Sequence, residues 1–217
     1  MREAVESREL NVSALEQSAL MEDDGLRRLP EPPAWKVSVS RLESPLGDLL
    51  LVTDTDRNIR ALDFATHQAR LRRRLREHCG SDAWAESPAP EEVAQAIARY
   101  FSGELSAVDS LATVTAGSDL QCKVWAALRR IPAGSVTTYG KLAKELGFDD
   151  PRAAIDIGAA TGANPIAIVV PCHRVIASNG ELRGYAWGLH RKRWLLEHEN
   201  AVASELETPQ PMRLPGF

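Results

Sequence analysis

The sequence has few cysteines: only Cys79, Cys122 and Cys172 occur in 217 residues, and they lie far apart. A structural zinc site needs four ligands, commonly with close spacings such as C-x-x-C, and these three positions offer no such pair. We therefore expect neither a metal nor a cofactor. Three separated thiols agree with a reducing compartment and not with a disulfide-stabilised secreted protein.

The sequence also lacks an apolar run long enough to cross a membrane. Its first residues do not show the basic start and apolar stretch of a signal peptide. No internal repeat is visible, and a composition of 44% hydrophobic and 26% charged residues is ordinary for a soluble protein with one or two small cores. We expect a cytoplasmic monomer that does not bind membranes.

The chain divides into four predicted parts. Residues 1–34 mix charges with little apolar periodicity and end in a proline-rich stretch, which indicates a mobile leader. Residues 35–117 are expected to form an N-terminal sheet domain and a linker. Residues 118–199 form a C-terminal domain, and the proline-containing residues 200–217 are a loose tail. The predicted class is mixed α/β (α+β), with a small antiparallel sheet domain followed by a mainly helical domain.

Apolar and polar side chains alternate over residues 35–64, as they do in β-strands. We predict a hairpin turn at 44–47, strands at 49–52 and 59–62, and helices at 67–78 and 91–101. Five arginines lie between positions 70 and 76 and could bind phosphate. Because Leu71 and Leu75 lie four residues apart on one helix face, we favour a solvated helix surface.

A second helical region lies between residues 138 and 162. The pattern predicts a helix at 138–146, a turn at 147–150, and a second helix that runs to Gly162. Asp149 or Asp150 can cap this second helix, and Pro151 suits its first turn. Helix, turn and helix together predict a helix-turn-helix, although the pattern alone does not distinguish that motif from any packed helical pair.

A thiol interrupts the apolar run at residues 164–176. An isolated buried cysteine is usually a small core residue. Here Pro171 fixes the backbone before Cys172, while His173 and Arg174 place a base and a permanent positive charge after it. Such surroundings lower the pKa of a thiol and favour a nucleophile. The local signatures of cysteine proteases are absent.

The residues Pro-Cys-His-Arg-Val at 171–175, preceded by Asn164-Pro165 and an apolar run, form a specific motif. This motif resembles the active-site signature of the O6-alkylguanine-DNA alkyltransferases, also called methylated-DNA-protein-cysteine methyltransferases. The resemblance covers roughly residues 35–199 and is strong after Gly117. Further matching segments lie at residues 124–125, 131–134, 138–143 and 180–199.

The resemblance implies a role for four residues. Cys172 accepts the alkyl group, and His173 takes the thiol proton, through a water molecule. Glu199 orients and charges the imidazole, as the third member of a hydrolytic triad does. Tyr139 donates a proton towards guanine N3 so that a neutral base leaves. The product is a stable thioether, so each protein molecule removes one lesion.

The resemblance also implies that the second helix enters the minor groove of DNA, where Ala153 and Gly158 allow close approach. The damaged nucleotide is rotated out of the stack into the thiol pocket. The family usually has an arginine where this chain has Ile155, which can unstack bases but cannot hydrogen-bond the orphaned partner base. Arg152 can reach the DNA backbone or remain a solvated helix residue.

A further set of residues is expected to contact the substrate or DNA around the thiol. Many family members have a small residue at the position of Trp187, so this indole is expected to change the roof of the pocket and to disfavour benzyl-sized adducts. The alternative is that the indole packs on the surface of its loop. The set comprises Asn164, Pro171, Arg174, Val175, Tyr185, Ala186 and Trp187.

The expected function is direct reversal of O6-alkylguanine damage, and of O4-alkylthymine damage as a second substrate, in double-stranded DNA. The net charge of −4 is unevenly distributed, because residues 118–199 carry eleven Lys and Arg against eight Asp and Glu. This modestly basic region predicts weak, salt-sensitive DNA binding. The alternative is a protein that binds alkylated DNA without efficient transfer. A transcription factor is disfavoured, because no dimerisation or effector module is visible.

Overall fold

A computed structural model of the protein describes residues 36–84 and 86–201. The predicted leader at 1–34 lies outside the described residues, as does the predicted tail beyond Ala201. Within the described part of the chain, no helix is both long and apolar enough to cross a bilayer.

The N-terminal region contains an antiparallel sheet in the order β1, β2, β3. The strands are β1 (Val37–Leu42), β2 (Leu49–Asp54) and β3 (Ile59–Phe64). The predicted turn is present, with the Gly47 N–H donating to the Ser44 carbonyl at 3.0 Å. Gly47 has a φ of +98°, which favours glycine.

Both faces of β2 are buried, so side chains on opposite sides of the strand enter different cores. Leu49 and Leu51 join the large core shared with the C-terminal helices. Leu50 and Val52 join a smaller core with Leu71 and Leu75 from α1 (Gln68–Cys79). The sheet is therefore fixed between α1 and the C-terminal region.

The helix predictions for the N-terminal region are confirmed. Helix α1 follows a 3-10 turn at Ala65–His67 and begins one residue later than expected. Helix α2 (Glu91–Phe101) has the predicted bounds. It buries Tyr100 completely, and the side chain of this residue reaches the site described below.

The C-terminal region is mainly helical. A capping box formed by Ser118 and Gln121 begins its first helix. Its elements are α3 (Asp119–Leu128), β4 (Thr137–Thr138), α4 (Tyr139–Glu145), α5 (Ala153–Gly162), a 3-10 turn at Cys172–Arg174, β5 (Val175–Ile176) and α6 (Leu189–His198). Strands β4 and β5 pair in parallel.

The expected start of the second helix is wrong. Helix α5 begins at Ala153, several residues after the predicted cap. Asp150 accepts a hydrogen bond from the Arg152 N–H at 2.9 Å, and this contact closes a turn that includes Pro151. Aspartate stabilises such turns with the same kind of bond that it makes at a helix cap. Helices α4 and α5 nevertheless pack against each other.

The segment before the thiol is attached to the N-terminal sheet. The Leu62 N–H donates to the Pro165 carbonyl at 3.1 Å, and the Ala167 N–H donates to the Leu62 carbonyl at 2.8 Å. Strand β3 therefore fixes the backbone that leads to Cys172.

Candidate active site

Cys172 lies at the end of a buried loop, and only 4% of its surface is exposed. The side chain of Asn164 holds this loop together. Its amide donates to the carbonyls of Ile166 and Val170 at 3.1 and 2.8 Å, and its Oδ1 accepts from the Ile166 N–H at 2.9 Å. The same amide lies 3.2 Å from Cys172 Sγ. Asn164 is completely buried and therefore positions the thiol from inside the protein. Its expected contact with the substrate or DNA stays a prediction.

Burial raises the pKa of the Cys172 thiol, because the charged form is disfavoured away from water. Four interactions act against this effect: the hydrogen bond from Asn164, the positive charges of Lys192 and Arg70, and a hydrogen bond from the backbone of Cys172 itself. The thiol is therefore protonated in the resting protein and needs a base to become a nucleophile.

Glu199 is the centre of a buried hydrogen-bond network. Its carboxylate accepts from His173 Nε2 at 2.9 Å and from the Tyr100 hydroxyl at 2.7 Å. Arg174 donates to both carboxylate oxygens at 2.8 Å. Burial alone would raise the pKa of Glu199, but the bonds from His173 and Arg174 hold it well below its usual range. Glu199 is therefore ionised.

Arg174 is 2% exposed and also donates to the Ile131 carbonyl at 2.5 Å. This geometry corrects the expectation that Arg174 contacts DNA or activates the thiol directly. A buried carboxylate with a bidentate guanidinium partner is held in one orientation. Arg174 therefore positions Glu199, which in turn orients the imidazole.

The ionised carboxylate fixes the protonation of His173. Its Nε2 faces Glu199 and donates, so Nδ1 is the nitrogen that can accept a proton. Burial lowers the pKa of His173, and Glu199 partly opposes this shift. Among the described residues, Nδ1 is buried without a hydrogen-bond partner, and no hydrogen bond joins the imidazole to Sγ.

An open cleft of about 570 Å³ lies between α4, α5 and the loop at residues 183–188, here called the pocket loop. The Tyr139 hydroxyl donates to the Arg183 carbonyl in this loop at 3.4 Å. Burial and the nearby Cys172 raise the pKa of Tyr139, so the phenol keeps its proton at neutral pH. The predicted site residues that line the cleft are Tyr139, Ile155, Gly158, Tyr185 and Ala186.

Two family models match the chain: 6-O-methylguanine DNA methyltransferase, ribonuclease-like domain, at residues 38–113, and 6-O-methylguanine DNA methyltransferase, DNA binding domain, at residues 119–201. A methylated-DNA-protein-cysteine methyltransferase from Salmonella typhimurium is 45% identical over 161 residues, which cover 73% of this chain and 93% of that protein. The chain belongs to the O6-alkylguanine-DNA alkyltransferase family.

Solved structures of alkyltransferases have the same fold. An O6-methylguanine methyltransferase from Mycobacterium tuberculosis is 34% identical, with a TM-score of 0.61 over 78% of this chain and 96% of that chain. The Mycobacterium tuberculosis OGT crystallised in complex with DNA is 35% identical, with a TM-score of 0.63 over 76% of this chain and 94% of that chain.

Trp187 does not form the roof of the cleft. It is fully buried, and its Nε1–H donates to Asp63 of strand β3. The Arg70 guanidinium lies over its ring, 4.3 Å from the centroid. The indole therefore neither forms the expected roof of the pocket nor packs on the surface of its loop, which was the alternative. Because the indole faces the sheet, the expected exclusion of benzyl-sized adducts loses its basis.

The other predicted DNA contacts differ in exposure. Ile155 is 73% exposed on α5, and Ala153 is half-buried at the start of the same helix. The Arg152 side chain is exposed and bonds to Asp150 through Nε and Nη2. Pro171 and Val175 are buried beside the thiol, so they frame the loop and do not face solvent.

The sequence pattern gave no role to Lys192, although the structure places it in the site. This lysine is fully buried, and its ammonium group donates to the carbonyls of Val175 and Arg183 at 2.6 and 2.8 Å. Burial lowers its pKa to about 8. A basic triplet at residues 191–193 is typical of a solvated helix start, so the sequence offered no signal that its middle member is inside the protein. The sequence also gave no role to Tyr100, because its partner Glu199 lies 99 residues further along the chain.

Proposed function

We propose that this protein repairs alkylated DNA by transferring the alkyl group of O6-alkylguanine to Cys172, in a single irreversible step. The observation that carries the proposal is the arrangement at the thiol. Asn164 contacts Sγ, and the adjacent imidazole is held in one tautomer by an ionised carboxylate. In the step, the S–C bond forms as the C–O6 bond breaks, and the bonding electrons move to the departing guanine.

His173 supplies the base for this step. Because Glu199 holds the Nε2–H, Nδ1 accepts the thiol proton through a bridging water molecule. Glu199 and Arg174 then stabilise the resulting imidazolium, since the carboxylate stays charged while the proton moves. The base is needed because burial keeps the resting thiol protonated.

Tyr139 supplies a proton to the leaving guanine. Its raised pKa keeps the phenol protonated, and its ring lies against Gly158, where an added Cβ would be 3.8 Å from the ring. Protonation at N3 lets the base leave in a neutral form. The product thioether is stable in water, so each chain acts once.

The cleft lies beside α5, the helix proposed to enter the minor groove of double-stranded DNA as the second helix of a helix-turn-helix. The exposed Ile155 would occupy the gap left by the flipped base. The proposal takes the protein to be a cytoplasmic monomer. The same isoleucine supports the second candidate, a protein that binds alkylated DNA without efficient transfer.

A label-transfer experiment separates the two candidates. The protein is mixed with duplex DNA that carries a radiolabelled methyl group on guanine O6, and label on the protein is counted. We expect label on the wild type and on the control Cys122→Ser, and none on Cys172→Ser, which should still bind DNA. Binding without label on the wild type would support the second candidate. Label on Cys172→Ser would overturn the assignment of the acceptor.

A further inference from the structure

Two side chains from distant parts of the chain, Trp187 and Arg70, meet at the buried carboxylate of Asp63. Asp63 of β3 is 1% exposed, and its Oδ1 accepts from the Trp187 indole. Its Oδ2 accepts from Arg70 Nε of α1 at 3.0 Å. The Arg70 guanidinium also lies on the face of the indole. Each of the three groups therefore contacts the other two, and we call this set the clamp.

The clamp is connected to the cleft through the pocket loop. The rings of Trp187 and Tyr185 lie 5.1 Å apart, and Tyr185 and Ala186 line the cleft. The backbone on the other side of Trp187 is also fixed, because its carbonyl accepts from Arg191 Nη1 at 2.9 Å. A change in the position of the indole would therefore move a wall of the cleft.

The clamp also reaches the loop at residues 164–172 that carries Cys172, here called the thiol loop. Arg70 Nη2 donates to the Asn164 carbonyl at 3.3 Å, and the Asn164 side chain contacts Cys172 Sγ. One guanidinium therefore links the carboxylate, the indole and the thiol loop. Its charge also contributes to lowering the thiol pKa, against the effect of burial.

Space filling alone does not account for these contacts. A phenyl ring would fill most of the volume of the indole, but it could not donate to Asp63. Burying a carboxylate is costly unless it is paired and hydrogen-bonded, and both of its oxygens are used here. An N–H bond to a charged acceptor fixes the direction of the indole as well as its depth.

We propose that Trp187, Asp63 and Arg70 act as positioning residues for alkyl transfer, holding the pocket loop and the thiol loop in register with each other. The inference rests on the proposed transfer to Cys172. It assigns to the N-terminal region a part in setting the distance between the bound alkyl group and Sγ. Alignment of reacting atoms is sensitive to small displacements, so a loosened clamp should slow the reaction more than it weakens binding.

The test is single-turnover kinetics of methyl transfer from duplex DNA, measured over a range of DNA concentrations. Trp187→Phe keeps an aromatic ring and removes the N–H donor. Its matched control is Trp84→Phe, because Trp84 also stacks on an arginine of α1, with Arg72 at 4.3 Å, and lies away from the cleft. We expect Trp187→Phe to lower the rate at saturating DNA by roughly tenfold, with the half-saturating DNA concentration unchanged, and Trp84→Phe to change neither.

A second variant keeps the test decisive if Trp187→Phe folds poorly. Asp63→Asn retains an oxygen for the indole and loses the charge that holds Arg70, so it should lower the same saturating rate. The double variant should lose less than the product of the two single effects, because both act on one unit. Unchanged saturating rates, or a rise in the half-saturating DNA concentration alone, would overturn the proposed role of the clamp in positioning the two loops. A wild type that binds without transfer would overturn the proposed function and the clamp together.

Discussion

Glu199 receives hydrogen bonds from three side chains while it is completely buried. Such a carboxylate is stable only because each of its partners neutralises or solvates it. The same contacts leave Arg174 dependent on Glu199, since that guanidinium is almost completely buried. At this position the requirements of folding and of base catalysis therefore fall on one residue.

Glu199→Gln should lower the free energy of unfolding by about 3 to 5 kcal/mol at neutral pH, because it leaves the Arg174 charge buried and unpaired. It should also slow alkyl transfer, since the imidazolium loses its counter-charge. Glu197→Gln on α6 is the matched control and should change both quantities little. Urea unfolding and label transfer measure the two effects. Equal stabilities of the two variants would contradict the network.

The difference in free energy of unfolding between the wild type and Glu199→Gln should depend on pH in one direction. The pKa of Glu199 in the folded protein is held below its ordinary value of 4.5, so its contribution to the free energy of unfolding is complete above about pH 4.5. It is lost as the pH falls through the lower pKa of the folded state. The gap between wild type and Glu199→Gln should therefore narrow in acid.

The sequence pattern identified the residues of the site better than it identified their contacts. Cys172 and His173 are adjacent in a specific motif, which made them visible as a pair. The contacts of Trp187 and Arg174 were not predictable in this way, because Asp63 lies 124 residues from Trp187 and Glu199 lies 25 residues from Arg174. Periodicity reports which face of an element is apolar and does not report distant partners.

Helix α5 carries Ile155, at the position where the resemblance to the family leads us to expect an arginine. The side chain there is apolar and exposed, whereas an arginine would be able to hydrogen-bond the orphaned base. A bond from a charged donor contributes about 1.5 to 3 kcal/mol when fully formed. With isoleucine instead of arginine, the free-energy cost of flipping the damaged base out of a stacked duplex should therefore be higher.

Ile155→Arg should speed repair of O6-methylguanine in fully paired duplex by roughly tenfold, since about 1.4 kcal/mol corresponds to that factor. Repair in single-stranded DNA should change little, because flipping costs least there. Ile155→Met is the control, as it keeps an apolar wedge without a donor. Rates on duplex and on single strands are compared for the three proteins. Equal duplex rates for wild type and Ile155→Arg would show that isoleucine is an adequate wedge.

The start of α5 shows a limit of reading elements from sequence. Asp150 followed by Pro151 is a common beginning for a helix, yet Asp150 closes a separate turn before α5. Both arrangements use an aspartate oxygen and a backbone N–H two residues later. Strands β2 and β3 were predictable as short apolar runs bounded by turn residues, and helix α2 was predictable because its apolar residues recur at helical spacing.

The N-terminal region, residues 36–117, supports the site through several separate contacts. Strand β3 pairs with the backbone before Cys172, Tyr100 bonds to Glu199, and Arg70 bonds to the Asn164 carbonyl. These contacts join residues about 90 to 105 positions apart. The sequence therefore predicted two regions and gave no sign that the first of them helps to position the chemistry of the second.

The most direct test of transfer to Cys172 is the intact mass of the protein after incubation with an excess of duplex DNA containing O6-methylguanine. We expect a gain of one methyl mass per chain that then stops, and peptide mapping should place it on Cys172. Continued demethylation of DNA beyond one equivalent would contradict the single-use mechanism. A methyl group mapped to Cys122 or Cys79 would contradict the assignment of the acceptor.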